Sequence, residues 1–247
     1  MKIFQLEDRI IQYNVVKSKR KTLELSINEK KEIVIKAPNN CSNEYIHRFL
    51  QDRQQWIAKS LEEIENRISN RVYLEFKTGE RLYYLGKSYP LVVEEERSNR
   101  IGAGFEEGEF RLVIPAYLKG EARKEAAKDI ILQLYRKMAK NILKERTNLY
   151  SRLIGVTVNR IFIKDQKTLW GSCSSKNNIN YNWKLVMAPL EVLDYVVVHE
   201  LCHIIHRNHS RDYWLQVEKY MPEYKKWVKW LKENGSSLQI EWQPNKL

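Results

Sequence analysis

Residues 189–209 read P-L-E-V-L-D-Y-V-V-V-H-E-L-C-H-I-I-H-R-N-H, an apolar run that ends in a cluster of histidines. Pro189 suits the first turn of a helix, and Glu191 and Asp194 sit where a helix N-terminus favours negative charge. Val192, Leu193, Val196, Val197, Leu201 and Ile204 recur at helical spacing and supply a buried side. On this helix His199-Glu200-Leu201-Cys202-His203 forms the pattern H-E-x-x-H. Histidines four apart stand one above the other on a helix face, so two imidazole nitrogens can converge on one ion at about 2.0–2.1 Å. Glu200 is turned about 100° from His199. It stays close to such an ion without lying on the same line, which is the place for a general base. Four of the five histidines, His199, His203, His206 and His209, fall in this one stretch.

Working outward, Ile179 to Met187 and Val156 to Ile163 read as strands, and Trp170-Gly171-Ser172-Cys173-Ser174 as a structural turn between them. The strand around Asn180 to Leu185 is the expected substrate-aligning edge, because extended peptides add to sheet edges through backbone hydrogen bonds. Ahead of these, Ala126, Ile130, Leu134, Met138 and Ile142 predict a long helix over 121–154 with that row as its apolar stripe. Strand signals fill 72–115. Ile46, Leu50, Ile57, Leu61, Ile64 and Ile68 predict one amphipathic helix of about 25 residues capped by Ser42. Leu23, Leu25 and Ile27 alternate before Asn28, and Ile33, Ile35 and Ala37 after it, which is a hairpin. A last helix runs from Arg211 to Asn234 and ends at Gly235. The fold class is α+β. A strand-rich region with one helix spans 1–116 and a helical region 117–247, with one compact domain as the alternative.

The 247 residues suffice for a core without disulfides. Three cysteines, odd in number and far apart, fit a reducing, cytoplasmic setting. No window approaches the roughly 18 apolar residues of a membrane span, and acidic residues interrupt the N-terminus before an apolar leader forms. The net charge of +12 suits a polyanionic partner such as a nucleotide or nucleic acid without identifying one. The dense run Lys17 to Lys21 reads as a solvated loop, and His47 as an exposed residue apart from the other histidines.

W-G-S-C-S at 170–174, N-W-K-L at 182–185, A-P-L at 188–190, D-Y-V-V-V-H-E-L-C-H at 194–203 and N-H-S-R-D-Y-W at 208–214 together resemble the YgjP-like metal-dependent hydrolases, relatives of the SprT-like zinc metallopeptidases. The resemblance implies a zincin-like core, Zn2+ held by His199, His203 and His209, and Glu200 as catalytic acid and base. Tyr213 stands where that pattern usually has phenylalanine. Among the residues themselves, His206 and His209 compete for the third place. On a continuous helix His206 lies about 10.5 Å along the axis from His199, which makes an ion between His199 and His203 hard for it to reach. His199, His203 and His209 match the spacing H-E-x-x-H-x-x-G-x-x-H, with His206 in the glycine position. Asn208 is then the expected turning residue, since asparagine tolerates left-handed backbone.

The expected function is hydrolysis of a peptide or protein by zinc-activated water, with Glu200 moving the proton. One alternative is a metal-dependent nucleoside-triphosphate (UTP) pyrophosphatase, which the charge suits. Against it, no G-x-x-x-x-G-K loop is present and the ligand set is imidazole-rich. Another is a DNA-associated SprT-like protease or a nucleic-acid-binding module with structural zinc, a role that would leave Glu200 without a task. Cys173 has no adjoining base and Cys202 points elsewhere on its helix, so neither is assigned to catalysis.

Overall fold

The computed structural model describes residues 2–6, 9–28, 30–69 and 74–238. They fall into two compact units, Met1–Val72 and Tyr73–Leu247. Sequence reading divided the chain at 116/117. In the structure the second block of strands shares its core with the C-terminal helices: Phe110, Leu112 and Ile114 belong to one buried cluster with Ile131, Tyr135, Val197 and Leu201.

In the first unit, β1 (Lys2–Leu6) and β2 (Arg9–Ser18) are antiparallel, as are β3 (Glu24–Ile27) and β4 (Ile33–Pro38). β2 runs parallel beside β4, giving the order β1-β2-β4-β3. The β3–β4 hairpin turns because Asn28 Oδ1 accepts from the backbone N–H of Lys30 and Glu32, at 3.0 and 2.9 Å. Ser42 caps α1 (Asn43–Gln51) by accepting from the Tyr45 N–H at 3.1 Å, as expected. The single helix expected here is two, since α2 (Gln54–Ser69) starts after a tightened turn in which the Arg53 N–H reaches Leu50 O. The apolar row passes through that break, with Ile46, Leu50, Ile57, Leu61 and Ile64 all buried. The expected positions Ile68, as a side chain, and Val72 lie outside the described residues. His47 is exposed, its ring tilted against that of Phe4.

In the second unit, β5 (Arg81–Tyr84), β6 (Lys87–Glu96), β7 (Gly102–Glu106) and β8 (Glu109–Pro115) form a sheet in the order β5-β6-β8-β7. The long helix is α3 (Gly120–Ile154), and Gly155 ends it at φ +81°. A second sheet joins β9 (Arg160–Lys164), β10 (Gly171–Cys173) and β11 (Asn178–Asn182) in the order β10-β11-β9, with β11 parallel to β9 and antiparallel to β10. A 3₁₀ turn over Trp183–Met187 replaces the end of the expected strand and leads to α4 (Leu190–Ile205), α5 (Arg211–Tyr220) and α6 (Tyr224–Asn234). The expected last helix is thus two, broken at Met221-Pro222-Glu223, where proline has no N–H to continue the first. Among the described residues no helix is long and apolar enough to cross a membrane.

The buried row of α3 is Ala127, Ile131, Tyr135, Ala139, Leu143 and Thr147, one residue on from the row expected; Ala126, Ile130, Leu134, Met138 and Ile142 are half-buried at its flank. Counting apolar residues favours the wrong row because the true one includes two hydroxyl side chains with internal partners. Tyr135 donates to Tyr83 O at 2.7 Å, and Thr147 donates to Leu143 O at 2.6 Å beside the Tyr181 hydroxyl. α3 grips α4 through Arg146, whose Nε and Nη2 each donate to Asp194 at 2.6 Å. Asp194, read from the sequence as a charge favoured at the helix N-terminus, is buried and also accepts from Tyr150.

Two glycines fix the approach to α4 and its far neighbour. In the β5–β6 turn Gly86 takes φ +77°, and a Cβ there would lie 2.8 Å from Pro189 Cα. The Leu85 and Gly86 N–H groups bond Val186 O and Met187 O, tying this turn to the start of α4. Gly235 ends α6 in the right-handed region at φ −59°, not as a left-handed cap. Its need for glycine comes from packing, because a Cβ would meet Trp170 Cζ2 at 2.7 Å.

Gly86→Ala combines a left-handed backbone with a contact against rigid proline, so it should destabilise by about 1–3 kcal/mol. Gly102→Ala, where a Cβ meets nothing within 4 Å, should stay within about 0.5 kcal/mol. Urea unfolding of both variants checks the contrast. Arg146→Met strands the Asp194 carboxylate and should cost about 3 kcal/mol. Arg146→Met with Asp194→Leu should recover much of that loss, and equal losses in single and double variants would argue against the ion pair as the grip.

Candidate metal centre

The helix α4 places His199, Glu200 and His203 within its last two turns, and its burial explains why it forms. Val192, Leu193, Tyr195, Val196, Val197, Val198, Leu201 and Cys202 are all buried, each large aliphatic one favouring the fold by roughly 1.5–3 kcal/mol. The helix stops two residues earlier than expected, the turn falling at His206 and not at Asn208. His206 is extended, at φ −120° and ψ 110°, and the turn begins there, without left-handed backbone at Asn208. Ser210 then caps α5, and the chain between brings His209 back toward α4.

The result is that one ring nitrogen from each of His199, His203 and His209 lies within 4.8 Å of the others. His199 Nε2 and His209 Nε2 are 3.4 Å apart. Two nitrogens bound at about 2.05 Å in a tetrahedral zinc site are separated by about 3.4 Å, so this pair is already at ligating distance. The remaining nitrogens are turned away and held. Tyr195 Oη is 3.3 Å from His199 Nδ1, and His203 Nδ1 is 3.1 Å from the His206 carbonyl oxygen. Such partners fix the ring and leave Nε2 free to ligate. His206 therefore takes part through its backbone; its side chain is not in the cluster.

An aromatic floor supports the three rings. The Tyr213 ring stacks on His203 at 4.6 Å and meets His199 and His209 edge-on at 5.4 and 4.8 Å. Its hydroxyl donates to His199 O at 3.1 Å. The exposed His209 is backed by Trp214, which stacks on it at 5.6 Å and on Tyr224 at 5.2 Å. Tyr213 was noted in the sequence only as a departure from a family pattern, and its place under all three imidazoles was not foreseen.

Burial dominates the electrostatics. It pushes His199 down to about 3 and lowers His203 as well, favouring the neutral imidazole that binds metals. It pushes the Glu200 carboxyl up to about 8. Glu200 is only 4% exposed, and its Oε2 has no hydrogen-bond partner among the described residues. Burial also pushes the Cys202 thiol up to about 12 and raises Cys173, so neither is an activated thiolate.

Beside Glu200 lies β10, the segment expected to be a turn. A Cβ on Gly171 would fall 2.6 Å from Glu200 Oε1 and 2.7 Å from its Cγ, so only glycine lets this strand approach so closely. The edge expected at Asn180 to Leu185 is corrected: β11 is the central strand, hydrogen-bonded on both sides, and the free edge near Glu200 belongs to β10. Three residues between a tryptophan and a serine carry too little alternation to read as a strand. Arg207 was also missed. Its Nη1 donates to Ser174 O at 2.9 Å and its Nη2 to Asn177 Oδ1 at 2.7 Å, with Cys173 Sγ 3.7 Å from Nη1. An arginine between two histidines of the cluster was the available signal.

Two solved structures are similar in part. The metallopeptidase zymogen abylysin of Pyrococcus abyssi is 19% identical, covering 42% of this chain and 99% of that one, with a TM-score of 0.33. The metallopeptidase zymogen jannalysin of Methanocaldococcus jannaschii is 24% identical, covering 37% of this chain and 95% of that one, with a TM-score of 0.33. No curated protein sequence matches the chain significantly. The model of the YgjP-like metallopeptidase domain matches residues 21–234, a span that holds H-E-x-x-H, the β10 edge and Arg207, and the chain belongs to that family.

Proposed function

We propose that the protein is a zinc-dependent peptidase in which His199, His203 and His209 hold the ion and Glu200 moves the proton. The observation that supports this most strongly is the convergence of three imidazoles within 4.8 Å beside a buried carboxylate with an unpartnered oxygen. Three imidazoles, of which His199 is oriented by Tyr195 and His203 by the His206 carbonyl, are a donor set that suits zinc. A zinc ion held there supplies Lewis acidity that polarises a carbonyl and acidifies water. Glu200, raised by burial, would ionise more readily beside such a cation. Glu200 takes a proton from the attacking water at Oε2 and passes it to the leaving amine. The β10 edge, held against Glu200 by Gly171, offers backbone groups to an extended peptide. Free thiols at Cys41, Cys173 and Cys202 fit our placement of the protein in a reducing cytoplasm.

A second reading, nucleoside-triphosphate pyrophosphatase, draws on the +12 charge and on Arg207, which has no carboxylate partner among the described residues. Incubation of zinc-loaded protein with a peptide library and, separately, with UTP distinguishes the two. Peptide cleavage without pyrophosphate release is expected.

Glu200→Gln should keep about one zinc per chain by elemental analysis and lose at least about a hundredfold in turnover, as general acid–base catalysis contributes 10²–10⁴. Full activity in this variant would refute the mechanism. His199→Ala, His203→Ala and His209→Ala should each weaken zinc binding beyond the roughly 10–100-fold typical of outer partners. His206→Ala keeps its carbonyl and should change it by less than about threefold. Competition against a chromogenic chelator measures the ranking, and the reverse order for His206 and His209 would overturn the ligand set.

A further inference from the structure

Arg207 is exposed yet immobilised, a combination that costs side-chain entropy and calls for a reason. Its three acceptors all come from the β10–β11 turn: Ser174 O, Asn177 Oδ1 and Cys173 Sγ. That turn is built to receive it. Ser174 O also accepts from the Asn177 N–H, Ser174 Oγ accepts from the Asn178 N–H at 3.1 Å, and Asn177 adopts the left-handed φ of +56° within the turn. All three acceptors are uncharged as they stand, since burial keeps the Cys173 thiol protonated. No carboxylate lies within ion-pair distance of the guanidinium among the described residues, so its positive charge is held in place without being neutralised.

The position of that charge matters. Arg207 lies in the loop between His206 and His209, and its charge acts on both His203 and Cys173. Cys173 ends the β10 edge whose other end, Gly171, touches Glu200. A guanidinium has five N–H donors in a planar fork. The three contacts use Nη1 and Nη2 and leave the Nε–H, with at least one further N–H, for a ligand. A peptide lying along β10 therefore passes from Glu200 at one end to a fixed, uncompensated cation at the other.

We propose that Arg207 is a specificity-determining residue that selects peptides carrying a carboxylate side chain at the position reaching the Cys173 end of β10. The proposal rests on the peptidase reading and adds the class of substrate to it. An exposed lysine would supply the charge but not the fork, so its preference for carboxylate would be weaker.

The test uses full-length, zinc-loaded protein and fluorescein-labelled peptide pairs that differ only in Asp against Asn, moved through each position. Binding is read by anisotropy in the Glu200→Gln background, where no turnover is required, and kcat/KM in the active protein. The expected result is a preference for Asp over Asn at one position of about tenfold, which falls as salt rises. Arg207→Ala should abolish that ratio whatever common loss accompanies the missing tether. Arg207→Lys should keep part of it, and Arg207→Glu should invert it toward Lys-containing peptides. A uniform fall for both members of each pair would show that Arg207 only holds the turn, and would overturn the proposal. So would an absence of any Asp preference in binding. If peptides bind with the predicted ratio but none is cleaved while UTP loses pyrophosphate, the peptidase reading falls and the anion-selecting role of Arg207 stands.

Discussion

Everything about the site depends on burying α4, a mainly apolar helix, while it carries polar groups inside. Ten of its side chains are buried, among them Asp194 and Glu200. A buried carboxylate is costly unless it is paired, and the two are treated in opposite ways. Asp194 receives both arms of Arg146 and the Tyr150 hydroxyl, so it is locked and inert. Glu200 receives nothing at Oε2. One carboxylate spends its hydrogen-bonding capacity on holding the helix to α3, and the other keeps its capacity for chemistry one turn and a half farther on.

How far the sequence revealed this follows from how local each signal is. The β3–β4 hairpin, the Ser42 cap, α3 and the H-E-x-x-H helix are set by contacts within a few residues, and pattern reading located them. The breaks were harder. Pro222 is itself the signal for the break between α5 and α6, since it has no N–H to continue the first helix. The turn at Asp52 and Arg53 left the buried row of α1 and α2 in phase and gave no signal at all. The row of α3 was displaced by one residue because Tyr135 and Thr147 are polar by composition and buried by partnership, and their partners, Tyr83 and Tyr181, lie 52 and 34 residues away.

The site shows the same division. His199, Glu200 and His203 share one helix and needed only its period. His209 depends on where the helix ends, and that end at His206 rests on a carbonyl taken up by His203. The β10 edge is three residues long and owes its strand character to β11, not to its own alternation. Gly171 is explained only by the side chain that faces it from α4. Each feature missed is a contact between segments, where residue type alone says little.

The loop 206–209 is therefore more than a return path. The His206 carbonyl orients His203, Arg207 grips the β10–β11 turn, and His209 closes the cluster. A turn at Asn208, with the helix continuing through His206, would have used the His206 carbonyl differently and carried Arg207 away from Ser174. Stopping the helix at Ile205 gives up part of a helical turn, and in exchange the loop meets the edge strand through Arg207 and the imidazole cluster through His209. A three-residue strand that would not persist alone is thereby held between Glu200 at Gly171 and Arg207 at Ser174. Pairing with β11 makes the segment a strand, and these two contacts at its ends set it beside the imidazole cluster.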